Sequence, residues 1–123
     1  MCPELFESRN SEGFTPAGLA CKLGKLRIIQ WILVNVQPHL LSKIQNSDKE
    51  ETNILEISTI FDQSECLLWL FSELERKGLP LGFRNSAGDS LLHIAARHNS
   101  LHCLQAWTEK ILQMLFLKKI FKI

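Results

Sequence analysis

The side chains with the most chemistry to offer cluster late in the chain: His93, His98, His102 and Cys103. His98 and His102 are four residues apart, a spacing that sets two metal ligands on one face of a continuous helix. Asn99 and Ser100 lie between them and break the helical pattern, which argues against a shared face. A thiol nucleophile with an imidazole base can be drawn from Cys103 and His102, or from Cys21 and a distant histidine. Such catalysis needs a lowered thiol pKa and a third group to orient the base, and the local sequence supplies neither. The adjacent carboxylates Glu50 and Glu51 sit in a polar stretch, where such pairs form solvated surface. The glycines are scattered, with no spacing that cradles phosphate. These residues point to a protein that is not an enzyme and carries neither cofactor nor metal.

The elements that must position them repeat along the chain. Three stretches align without internal gaps, starting at Gly13, Glu51 and Gly88. Thr15, Asn53 and Ser90 share one position; Ala20, Ser58 and Ala95 share another; Ile29, Leu67 and Leu104 share a third, at spacings of 38 and 37 residues. In the third stretch Leu92, Ala95 and Ala96 recur at helical spacing, as do Leu101, Leu104 and Trp107 after the break. Each copy therefore reads as two short helices. Polar turns precede them, Asn10 to Gly13, Asp48 to Glu51 and Asn85 to Gly88, with residues suited to positive φ. Thr15 followed by Pro16 is a strong helix opening, and Ser90 can cap the third copy in the same way.

Ser90-Leu-Leu-His-Ile-Ala-Ala96, and Thr15-Pro16 with Ala20, Gly24, Ile29, Ile32 and Leu33, resemble the ankyrin-repeat family. The middle copy departs from its pattern: Glu56 replaces the histidine, Ser58 and Thr59 the alanines, Asp62 the glycine. The family's shorter period places insertions around 38–46 and 78–83. The resemblance implies an all-α, ankyrin-type solenoid of about three degenerate helix-turn-helix repeats, at about 10–46, 48–84 and 85–108, followed by a C-terminal helix over 109–123. It also implies a structural role for His93, bonding backbone near its turn. Within the family, Thr15 to Leu33, Leu67 to Leu81 and Leu91 to Gln105 are most similar to the ankyrin-like repeats of the synphilins.

The family's concave face binds proteins, and it is built from turn tips and the exposed side of each first helix. Position by position this implies Ser11, Glu12, Phe14, Leu19, Lys22 and Leu23 in the first repeat. The middle repeat contributes Lys49, Glu50, Thr52, Ile57, Ile60 and Phe61, and the third Ser86, Ala87, Asp89, Ile94, Arg97 and His98. The function implied is a non-catalytic adaptor, and the synphilin likeness implies alpha-synuclein and the ubiquitin ligases parkin and Siah as partners.

Composition fits this reading. Hydrophobic residues make up 46% and charged residues 22%, a globular balance. The net charge of +1 offers no case for nucleic acid. The widely spaced cysteines read as reduced and buried, and with no secretory leader the chain reads as cytoplasmic. Trp31 and Trp69 share one register position, with Trp107 offset by one, and read as core between repeats. Residues 109–123 carry an excess of +3 against −2 for 1–108. That basic, apolar tail can lie on an anionic membrane surface, cap the last repeat, or be a sticky end. Neither end shows a polar cap, which reads as a fragment or shortened form of a longer array.

Overall fold

The computed structural model describes residues 3–45, 53–79, 83–85 and 87–121. The regular elements among these residues are helices, with one isolated antiparallel bridge between Arg84 and Ser90. A short 3-10 helix over Pro3–Glu7 precedes α1 (Pro16–Leu23), α2 (Leu26–Asn35), α3 (Leu40–Gln45), α4 (Ile54–Ile60), α5 (Ser64–Arg76), α6 (Leu91–Arg97) and α7 (Leu101–Phe121).

Local chemistry sets where the first helices begin. Thr15 accepts from the Gly18 N–H at 3.1 Å, ahead of Pro16, and Asn53 accepts from the Glu56 N–H at 2.9 Å. Ser90 accepts from the His93 N–H, while its own N–H donates to His93 Nδ1 at 3.1 Å, a reciprocal cap. That bond is the structural role expected of His93.

The same device ends each first helix. Gly24, Asp62 and Asn99 all adopt the left-handed region, at φ 71°, 55° and 57°. The next N–H in each case reaches back to the helix: Lys25 to the Ala20 carbonyl, Gln63 to Ser58 and Ser100 to Ala95, each at 2.8 Å. Asp and Asn tolerate this conformation better than other side chains. Asp62 therefore departs from the glycine pattern in sequence and not in backbone.

Helices α1, α4 and α6 lie side by side, and α2, α5 and α7 form a second layer behind them. The core runs between the layers, with Leu55, Leu67, Leu70, Phe71 and Leu74 of the middle pair most deeply enclosed. Ser58 and Thr59, which stand for the alanines, are buried there too. The Thr59 hydroxyl donates to the Leu55 carbonyl at 2.8 Å, so a polar group is accommodated without an outside partner. Phe71 and Trp107 stack at 4.4 Å between centroids across the second seam. Between the first and middle pairs lies α3, whose Leu41 is buried in the core.

The tryptophan expectation is corrected at one position. Trp69 and Trp107 are partly buried against the core, but Trp31 is 49% exposed. Ile28 and Val34 of the same helix are exposed with it. Helix α7 continues through residue 109 without a break. Glu75 of α5 pairs there with Lys110.

Candidate functional site: the turn-and-helix face

Two turns with the same sequence pattern, Arg-Asn-Ser-x-Gly at 9–13 and 84–88, are built alike. Asn10 accepts from the N–H groups of Glu12 and Phe14 at 3.0 and 2.9 Å, and Arg9 donates to the Gly13 carbonyl at 3.0 Å. Asn85 accepts from Ala87 and Asp89 at 3.0 and 2.9 Å, and Arg84 donates to the Gly88 carbonyl at 2.9 Å. Gly13 and Gly88 close the turns at positive φ. The two arginines were not singled out from sequence, although the repeated pattern displays them. Their donor planes clamp the tips that a binding surface would present.

In front of the first turn stands a cluster from two repeats. Lys22 pairs with Glu12 at 2.9 Å, and its Nζ lies 5.2 Å from the Phe14 ring and 5.3 Å from the Phe61 ring. The two rings meet edge to face at 6.2 Å. Ammonium over two rings and a carboxylate is favourable by about 0.5–1 kcal/mol per ring contact where solvent reaches it. Phe61 is 39% exposed, and Leu23 beside it is exposed as well. In the third repeat Arg97 pairs with Asp89 at 2.6 Å. Lys22, Ile60 and Arg97 thus form one row, with Leu23, Phe61 and His98 the next.

Of the other residues expected on this face, Ser11, Ala87 and His98 are exposed, while Leu19 and Ile60 are partly buried. Ile57 and Ile94 lie in the core. Lys49, Glu50, Thr52 and Ser86 fall outside the described residues. Glu56 has a role the sequence did not disclose. Half-buried burial raises its carboxyl pKa, a hydrogen bond with Asn85 opposes that, and Asp89 adds to it, so the group sits above the ordinary value. It joins the middle repeat to the third turn.

His93, His102 and the described cysteines Cys21, Cys66 and Cys103 are committed to structure. His102 Nδ1 meets Asp62 at 2.7 Å, and the other oxygen of Asp62 accepts from the Cys103 N–H at 2.9 Å. Burial, with Asp62 nearby, pushes the Cys103 thiol up to about 12. Burial likewise pushes Cys21 up to about 12 and raises Cys66. Thiols held so far from ionisation are poor nucleophiles. Among the described residues no group of three histidine, cysteine or acidic side chains could hold a metal. No described helix is long and apolar enough to cross a membrane.

The chain is 29% identical over 109 residues to synphilin-1 of mouse (Mus musculus), an alignment covering 89% of this chain and 11% of that protein. The two are distantly related over most of this chain's length. No protein-family model matches the chain. No solved structure matches it.

Proposed function

We propose that the chain is a non-catalytic protein-interaction module, a short ankyrin-type solenoid that binds its partner along the turn-and-helix face. The observation that carries this is the Phe14–Lys22–Phe61 cluster, in which exposed Phe61 is held beside the partly buried Phe14 and Lys22 of the neighbouring pair, next to a hydrogen-bonded turn. Exposed aromatics on a preorganised scaffold are the usual anchors of protein recognition. The partners implied by the synphilin likeness are alpha-synuclein and the ubiquitin ligases parkin and Siah, met in the cytoplasm. Over 1–108 the three helix pairs carry this role, with 109–123 outside it.

The test immobilises the full chain and measures binding of alpha-synuclein, parkin and Siah separately. Phe61→Ala should weaken capture of the true partner at least about tenfold, as loss of an anchor does. Gln105→Ala, on the exposed side of α7, should leave it unchanged. Binding indifferent to both Phe61→Ala and Lys22→Glu would contradict the assignment of the face. Failure of all three proteins to bind would overturn the partners.

A second reading is favoured by the exposure of Leu112, Leu115 and Phe116 on α7. Together with the lysines of 109–123, they suit an anionic membrane surface. A chain lacking 109–123 separates the two readings, since it should keep partner binding and lose any sedimentation with anionic vesicles.

A further inference from the structure

The two internal seams share a register. Cys66 and Cys103, at one position of the second helices, are each 1% exposed because the preceding pair covers them; Ile28, at the same position of α2, is 51% exposed. Trp69 and Ala106 are covered to a lesser degree at the position where Trp31 stands open. Val34 extends the open stripe. At the far end of the stack, Leu101, Leu112, Leu115 and Phe116 form an exposed apolar stripe on α7. Among the described residues the second layer thus ends in an exposed apolar edge on both sides: Ile28 and Trp31 stand where Cys66, Cys103, Trp69 and Ala106 are covered inside, and Leu112 stands where Glu75 meets Lys110 of the next helix pair.

The seams also share polar chemistry. Gln63 donates to the Lys22 carbonyl at 2.9 Å, and Ser100, at the same position one repeat on, donates to the Ile60 carbonyl at 3.3 Å. At the second seam alone, Asp62 also meets His102 two residues further on; the first seam has Gly24 and Glu65 at these positions. The corresponding groups at the open edges are Lys25 and Arg27 on the first repeat, and the Arg97 carbonyl and Asn99 on the last. Both pairings match a donor with an acceptor: Lys25 with the Arg97 carbonyl, and Arg27 with the Asn99 side-chain oxygen.

We propose that a second copy of this chain occupies the open edge of α2, docking its α7 there so that the stack continues head to tail. The 3-10 helix over Pro3–Glu7 packs on α1, with Phe6 against the core, so the docking site is the α2 half of that end. The contact is heterologous: each copy uses one edge and leaves the other free. Such contacts grow into chains of copies unless rotation closes a ring. The inference rests on the register of the seams and is independent of what binds the concave face.

Sedimentation velocity on the full chain over about 1 to 200 µM tests it, a range that reveals micromolar association. The wild type should grow past a dimer with concentration. Trp31→Glu should be monomeric, and so should the double variant Leu112→Glu, Leu115→Glu, with circular dichroism confirming that each is folded. Mixed together, these two variants should form a 1:1 dimer and nothing larger, because each retains the edge the other lost. Arg27→Ala, outside both stripes, should weaken association severalfold. A wild type that stays monomeric, or that sediments only with anionic vesicles, would overturn the proposal. So would self-association of Trp31→Glu alone, which would show symmetric pairing through α7.

Discussion

Asp62 shows how one residue can look like a defect in sequence and act as a joint in the fold. Its left-handed backbone ends α4, and its two oxygens hold His102 and the start of α7. Burial alone would raise its pKa; the bonds from His102 and the Cys103 N–H outweigh that and hold the carboxyl below its ordinary value. A carboxyl depressed on folding stabilises the fold above its unfolded-chain pKa, and that contribution is lost as pH falls through the folded value. Asp62→Asn keeps the tolerance for positive φ and removes the charge. The stability gap between wild type and Asp62→Asn, from urea midpoints, should therefore be full near pH 6 and shrink as pH drops from about 4 towards 2. A gap that stays constant through that range would show the charge to be idle. The sequence could not reveal this joint, because Asp62 and His102 lie 40 residues apart.

At the scale of the elements, helix starts and stops were legible because the groups that make them are local. Thr15-Pro16, Ser90 with His93, and the Gly24 break all act within a few residues of themselves. Which side of a helix is covered depends on its neighbours, which its own sequence does not display. Trp31 and Trp69 share a register, yet only Trp69 packs against the core. Ile94 likewise reads as surface and lies in the core between α4 and α6, while Ile60, one helix away, is only partly covered. The turn between α1 and α2 joins both levels. A Cβ on Gly24 would stand 2.5 Å from the Gln63 side-chain oxygen, at a φ of 71° that disfavours any side chain. Gln63 would have to swing away and give up its bond to the Lys22 carbonyl. Gly24→Ala should destabilise the chain by about 1–3 kcal/mol, seen as a lower urea midpoint. No change would mean that the first seam tolerates a looser turn.

Across the whole molecule, three helix pairs are joined by two seams into one stack that carries the proposed binding face. Stability in such arrays comes from each pair and from its interfaces with its neighbours. Here Phe71 of α5 stacks on Trp107 of α7 across the second seam, within a core cluster that draws on all three pairs. Each pair has its own tryptophan, Trp31, Trp69 and Trp107, so fluorescence samples the full stack while circular dichroism counts helix. The most direct test is equilibrium unfolding in urea at low micromolar concentration, followed by both signals. A joined stack unfolds in a single sigmoidal transition with coincident midpoints. Tryptophan fluorescence changing well before helix is lost, or a broad loss of helix with no cooperative step, would rule out the joined stack and with it the proposed binding face.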